Sequence, residues 1–417
     1  MANAWVEKRY KKSYTIVVDE GIDPVTNERI RWSTSIKTDD PVVAESQKNI
    51  ILGQVESKTY IHPTKTTVKE YFEYWQTTPA AKKLASTTRA NYKKHIKNRI
   101  IPWLGDIKIF DLNSNHLENF YERILREGSL RVCSKKEQEK PVRREVGIET
   151  VLYNHSVIHR VLEDAKLKHK LIKENPADFA DLPDVEEDFD EDKGLVKVFS
   201  ADEIKVLLEQ AEAKHRKYFP LVYVALHTGL RRGELLALSW RNINFEDKTI
   251  FVKKALVYTK ENGYEIKDLK NPKRGTNKKR RKIEVVDSVL DVLRQVKASQ
   301  DEIIQKIEEK KEDLADKVYD VKKLDLVFCR DDGQEMHPDS ITSWFPTFCK
   351  EIGITRLGFH CLRHTHLSHL LSIGENIVWV SKRAGHSSPA TTYNTYFHFI
   401  PTETRESLKE LENKFNK

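Results

Sequence analysis

Nearly every position from 184 to 192, DVEEDFDED, is acidic. Like charges at that density repel one another and resist packing, so a single hydrophobic core cannot run through this point. The stretch reads as a linker, residues 185–196, between two bodies that must move relative to each other. At 417 residues the chain has room for about three domains of ordinary size.

Upstream of the linker the hydrophobic period changes once. SYTIVV and RIRWSTSIKT, around the turn-rich DEGIDPVTNE, alternate as two strands, and Pro41 to about Val55 continues with a helical pattern. Residues 1–62 are therefore predicted to form a small sheet with one helix. From about residue 66, VKEYFEYW, STTRANYKKHIKNRIIPWLG, LNSNHLENFYERIL and the long segment from Ile148 to Phe179 space their apolar residues three and four apart. This predicts an all-helical domain over 63–184, with a polar loop between Gly128 and Gly147. Beyond the linker, Ser200 and Glu203 have capping-box spacing, and YFPLVYVALHTG reads as a buried helix closed by Gly229. TIFVKKALVYT, RKIEVV and LVFC read as strands, and about 287–318 as a long charged helix. The fold class is multidomain α+β, with the last domain, 197–417, mostly helical around a small antiparallel sheet.

Charge narrows the function. The formal net charge is +8, and Lys and Arg crowd residues 270 to 282, KNPKRGTNKKRRK, which favours a polyanionic partner. No apolar run approaches the roughly 20 residues that cross a bilayer. The start of the chain has no apolar signal segment, and Cys133, Cys329, Cys349 and Cys361 show no CxxC spacing, so a cytoplasmic location with free thiols is expected. His360, His364 and His369 suggest a metal at first sight, but the glutamate of an HExxH helix is absent. Neither a metal nor another cofactor is expected.

Four short boxes carry the chemistry: TGLRRGE at 228 to 234, HCLRH at 360 to 364, AGH ending at His386, and TYFH carrying Tyr396. Attack on a phosphodiester puts extra negative charge on its non-bridging oxygens, and planar guanidinium forks grip two such oxygens at once. Arg231 and Arg363 are the candidate clamps. A tyrosine hydroxyl, with an ordinary pKa of about 10, needs a base and nearby positive charge before it can attack. His360 and His386 can supply proton transfer or hydrogen bonds, and a lysine can protonate the departing oxygen. Glu234, three residues after Arg231, is placed to hold that guanidinium. Separated basic groups closing on one late tyrosine are what metal-free cutting of a phosphodiester requires.

TGLRRGEL, HCLRHT and AGHSSPATTYNTYFH resemble the signature boxes of the tyrosine recombinases, in particular phage and conjugative-transposon integrases. The resemblance implies that Arg231 rather than Arg232 is catalytic, together with His360, Arg363, His386 and the nucleophile Tyr396, with Tyr393 the nearest rival. It implies a catalytic lysine on the hairpin before Arg281, where Lys270, Lys273 and Lys278 stand; Lys273, directly after Pro272, matches best. Residues 1–62 resemble an arm-site DNA-binding domain and 63–184 a core-binding domain. DNA contacts are expected from Arg31, from Thr87 and Thr88 at a helix start, and from Lys93, Lys94 and Lys97 along the polar face that follows.

The implied activity is site-specific recombination through a 3′-phosphotyrosyl intermediate, integrating and excising a mobile element or prophage. The implied partners are double-stranded attachment sites, a homotetramer exchanging C-terminal helices, an excision factor and a DNA-bending host protein. The segment TETRESLKELENKFNK, with Leu408, Leu411 and Phe415 on one face, would be the exchanged helix. A type IB topoisomerase or resolvase, and a catalytically idle DNA-binding regulator, are the alternative readings of the same residues.

Overall fold

The computed structural model describes residues 2–10, 12–22, 28–57, 60–62, 64–130, 143–144, 146–183, 196–269, 280–309, 325–330, 332–355 and 357–400, with backbone alone at 129–130, 143–144 and 307–309. It divides into two compact units, Met1–Val185 and Glu186–Lys417.

The first unit opens with an antiparallel sheet in the order β1 (Asn3–Tyr10), β2 (Ser13–Ile22), β3 (Arg29–Ile36). Two of these strands match the sequence expectation. β1 escapes it because NAWVEKRY does not alternate, with Glu7, Lys8 and Arg9 in succession, and it holds its place by pairing with β2, Trp5 opposite Val17. Helix α1 (Pro41–Glu56) starts where the Asp40 carboxylate accepts from the Val42 amide at 2.8 Å. Ala4, Ile16 and Val18 form a small core with Ile51, Leu52 and Val55.

The rest of this unit is helical: α2 (Val68–Trp75), α3 (Pro79–Lys82), α4 (Ser86–His95), α5 (Ile101–Leu104), α6 (Ser114–Glu127) and α7 (Ile148–Leu167), with two short paired strands, β4 (Ser129–Leu130) and β5 (Arg143–Arg144), between the last two helices. A widened helical turn at Ile96–Ile100 joins α4 to α5 and keeps Ile96 and Ile100 on the buried side. Trp75 lies in the core, and its indole N–H donates to Asp164 at 2.8 Å. Lys168 pairs with the same carboxylate at 2.6 Å, so this buried acid is compensated.

The second unit begins with α8 (Ala201–Lys214), where Ser200 and Glu203 form the expected capping box. It continues through α9 (Phe219–Thr228), α10 (Arg232–Leu236), β6 (Ile243–Asn244), β7 (Thr249–Val252), β8 (Lys254–Thr259), β9 (Gly263–Asp268), β10 (Arg281–Glu284), α11 (Asp287–Glu309), α12 (Pro338–Glu351), α13 (Cys361–Ser372), α14 (Ile377–Ala384) and α15 (Pro389–Tyr396). The sheet is small and antiparallel, β10-β7-β6, beside a separate β8-β9 hairpin. TIFVKKALVYT, read as one strand, is broken at Lys253, and its halves pair in different sheets. LVFC forms no strand; Leu326 and Cys329 make isolated bridges to Ser239 and Glu335. Phe345 and Phe348 of α12 anchor the core with Phe199 and Leu362, and burying one such ring contributes about 2–3 kcal/mol. The acidic run at 184 to 192, Lys270, Lys273 and Lys278, and the tail with Leu408, Leu411 and Phe415 lie outside the described residues.

Candidate active site

The end of α9 fixes the first arginine. Gly229 takes φ +63°, the left-handed conformation that closes a helix, and the turn after it delivers Arg231 to the threshold of α10. Nη1 of Arg231 donates to Glu234 and to the carbonyl of Ala384, both at 3.1 Å, and Nη2 donates to the carbonyl of Gly385 at 3.1 Å. Arg232 turns elsewhere and donates to Pro338 O and Thr342 Oγ1. Arg363, on α13, is only 2% exposed. Its Nη1 donates to the Gly229 carbonyl at 2.6 Å and its Nη2 to the Ala384 carbonyl at 2.7 Å. Both guanidiniums therefore meet at the C-terminus of α14, where carbonyls left without helical partners carry partial negative charge. Burial, and then the charge of Arg231, push Arg363 down to about 9.

Glu234 is 3% exposed, which settles its place: it is a buried acid and not a surface charge. Besides Arg231 it binds Arg281 through both oxygens, at 2.8 and 3.1 Å. Burial alone would raise its pKa, but the hydrogen bonds and charges of Arg281 and Arg231 outweigh that and hold it at about 2. Arg281 also donates from Nε to the Arg383 carbonyl at 2.6 Å. Sequence reasoning gave Arg281 no role, because it stands at the end of a crowd of basic residues with nothing local to separate it from them.

Tyr396 is the last residue of α15 and 1% exposed, whereas Tyr393 is 55% exposed and lies beside Phe397 with ring centroids 6.0 Å apart. The Tyr396 hydroxyl sits 2.7 Å from Nδ1 of His364. Burial pushes this phenol up to about 12, although Arg363 and Arg231 pull the other way. Thr392, one helical turn earlier on the same buried face, bonds to Nδ1 of His386 at 2.7 Å. The other ring nitrogen of His386, Nε2, is 3.0 Å from Nη2 of Arg363. An arginine only donates, so neutral His386 accepts at Nε2 and carries its proton on Nδ1. Burial first, then Arg363 and Arg231, lower His386 to about 4 and keep it neutral. His360 precedes α13 and packs edge to face on His364, with centroids 4.8 Å apart. Desolvation, then His364 and Arg363, lower it also to about 4. The structure thus brings together Arg231, His360, Arg363, His386 and Tyr396, and adds Arg281 and His364. His364 was legible as part of HCLRH but had no assigned task.

In the first unit, Thr87 and Thr88 fall in the first turn of α4, whose cap, Ala85, makes no side-chain bond to the helix. Thr87, Lys93, Lys94 and Lys97 are exposed and Thr88 is half-buried. Arg31 is exposed on the sheet, its guanidinium 4.6 Å from the centre of the Trp5 ring.

A mostly helical unit in which guanidiniums, neutral imidazoles and one late tyrosine surround a single helix end has the features of a phosphoryl transferase. Residues 197–402 match the phage integrase family and residues 67–125 the phage integrase N-terminal SAM-like domain. The chain belongs to the tyrosine recombinases of the phage integrase family, and it is a site-specific DNA recombinase. It is 24% identical to a XerC-like tyrosine recombinase of Caldanaerobacter subterraneus subsp. tengcongensis, over 98% of each chain. With the ICEBs1 integrase of Bacillus subtilis it shares 23% identity, over 98% of this chain and 99% of that one. The fold is similar to that of the Tn1549 transposon integrase solved with a circular intermediate DNA, with TM-score 0.62 and 17% identity over 84% of this chain and 100% of that one. It is also similar to lambda integrase solved as a dimer on a core site, with TM-score 0.53 and 15% identity over 96% of this chain and 95% of that one.

Proposed function

We propose that this recombinase integrates and excises a mobile element or prophage by metal-free transesterification, with Tyr396 as nucleophile. Tyr396 attacks the scissile phosphate, the phosphorus–tyrosine bond forms, and the 5′ oxygen leaves, giving a 3′-phosphotyrosyl intermediate that keeps the phosphodiester energy. Arg231 and Arg363 stabilise the charge gathering on the non-bridging oxygens. His386 orients Arg363, His360 hydrogen-bonds the phosphate, and Lys273, with Lys270 and Lys278 as the alternatives on the same hairpin, protonates the departing oxygen. The observation that carries the reading is the convergence of both guanidiniums on Ala384 next to a buried tyrosine. Carbonyl oxygens are neutral acceptors, so the charge of Arg363 remains available to a phosphate, and Arg231, which shares the Glu234 carboxylate with Arg281, keeps part of its own.

On the same reading, residues 1–62 bind arm sites with Arg31 among the contacts. Residues 63–184 bind the core site, with Thr87, Thr88, Lys93, Lys94 and Lys97 on phosphate. Residues 185–196 are the linker and 197–417 the catalytic domain, and the protein works in the cytoplasm. ICEBs1 and Tn1549 are named as an integrase's element and a transposon, which supports a mobile element as the target. Lambda integrase has been solved as a tetramer on a Holliday junction, which supports a tetramer here, with the helix after Ile400 exchanged between protomers. An excision factor and a DNA-bending host protein complete the proposed assembly.

The test is recombination between duplexes carrying the DNA that flanks the gene, with chelator present. Wild type is expected to exchange strands without metal or ATP, and Arg363→Ala is expected to bind the same DNA without exchange. Plasmid relaxation without strand exchange would contradict the reading in favour of a topoisomerase. Truncation after Ile400 is expected to abolish assembly on paired sites while leaving the melting temperature within about 3 °C of wild type, a change of about 1 kcal/mol or less.

A further inference from the structure

The contact at the nucleophile falls to a residue that none of the signature boxes singles out for a task. His364 follows Arg363 on α13, and its Nδ1 is the hydrogen-bond partner of the Tyr396 hydroxyl, at 2.7 Å. His360 touches His364 ring to ring and makes no bond to the tyrosine. Both nitrogens of His386 are committed, one to Arg363 and one to Thr392. Among the described residues, one imidazole therefore addresses the hydroxyl that must lose its proton.

We propose that His364, and not His360, takes the proton from Tyr396 as it attacks the phosphate. The inference rests on Tyr396 being the nucleophile. The proton moves from the phenol to Nδ1 of His364 while the phosphorus–tyrosine bond forms and the bond to the 5′ oxygen breaks; that oxygen collects its own proton from the lysine proposed above. In the rejoining step the 5′ hydroxyl gives its proton back to the lysine as its oxygen attacks the phosphotyrosine, the phosphorus–tyrosine bond breaks, and His364 returns the proton to Tyr396, so no proton is gained or lost over the cycle.

The surroundings suit a base. His360 and Arg363 face His364 from its own helix, Tyr396 from α15, His386 from the turn after α14, and Arg231 bears on the tyrosine from the start of α10. Burial, then the positive charge of Arg363, lower the pKa of His364, so the ring is neutral and has a lone pair at neutral pH. With Tyr396 raised to about 12, spontaneous ionisation is rare and a contacting acceptor is needed.

The experiment is single-turnover adduct formation by the full chain on nicked duplexes made from the DNA flanking its gene, from pH 6 to pH 10. His364→Gln is expected to lose about 10²- to 10⁴-fold at pH 7, and to regain about tenfold per pH unit as hydroxide replaces the missing base. His360→Gln is expected to keep the pH dependence of wild type. His364→Gly is expected to recover with added imidazole, which a change in packing alone would not produce. A His364→Gln rate within about threefold of wild type at pH 7, or a loss that is the same at every pH, overturns the proposal. Tyr396→Phe distinguishes the two levels: an adduct from that variant removes the nucleophile and this proposal together. A normal His364→Gln rate beside an inert Tyr396→Phe removes only the base.

Discussion

Arg231 and Arg363 donate to one and the same backbone oxygen, that of Ala384, at 3.1 and 2.7 Å. A single atom at the end of α14 thus registers two guanidiniums that come from different helices, one at the start of α10 and one on α13. Like charges this close repel, and the carbonyl dipoles at the helix C-terminus offset that repulsion without neutralising either group. A phosphate entering here would find two forks already aimed, so little reorganisation is left for the chemical step.

Replacing either fork with a point charge tests this geometry. Arg231→Lys and Arg363→Lys are each expected to lower single-turnover cleavage by about 10²- to 10³-fold, because an ammonium cannot hold two non-bridging oxygens at once. DNA affinity, read by gel shift, should change by less than about threefold, since most of it comes from other phosphate contacts.

Arg281 is the buried partner of Glu234, so removing it leaves a carboxylate under-compensated. Arg281→Met is expected to cost about 3–5 kcal/mol in chemical denaturation. Adding Glu234→Gln to that variant should recover part of the loss, because a neutral amide tolerates burial better than a lone carboxylate. A double variant no more stable than Arg281→Met would contradict the pairing.

Gly385 combines φ +68° with a crowded site: an added Cβ would lie 2.7 Å from Nη1 of Arg281. Gly385→Ala must therefore displace the guanidinium that holds Glu234, and both the melting temperature and the adduct yield are expected to fall. Gly353 is the control, with φ +79° and open space around it. Gly353→Ala should show only the conformational cost, about 1–2 kcal/mol, with adduct formation unchanged.

Each unit carries half-buried, neutral histidines. Burial lowers His95 to about 4 despite its bond to Asn154, and burial followed by the charge of Arg383 lowers His366 to about 3. In the unfolded chain both titrate near 6.5. Between those values the unfolded state binds more protons, so stability is complete above about pH 6.5 and declines as the pH falls toward 4. Thermal melts across this range should show that slope, and His366→Gln should reduce it for the second unit, where His360 and His386, also lowered to about 4, supply the remainder.

Helices were the most legible part of the chain because each carries its own period and its own stop signals: the Ser200–Glu203 capping box and the Gly229 closure stand in the structure as the sequence predicts. The strands were harder. β1 exists through pairing with β2, and β7 and β8 belong to different sheets although Lys253 alone separates them in sequence. Within the site, residues in short boxes could be named from sequence, since Arg231, Arg363, His386 and Tyr396 each sit in a distinctive local pattern. Arg281 could not, because its meaning lies in a carboxylate 47 positions away. The contact of His364 with Tyr396, across 32 positions, is equally a product of packing.

The most direct measurement is to trap the protein on nicked flanking DNA, digest it with trypsin and sequence the DNA-linked peptide by mass spectrometry. The peptide from Ala384 to Arg405 contains both Tyr393 and Tyr396, so fragmentation decides between them. Phosphonucleotide on Tyr396, with Tyr393→Phe as active as wild type and Tyr396→Phe inert, is the result predicted here. A label on Tyr393, or an adduct surviving Tyr396→Phe, would contradict the account at its centre.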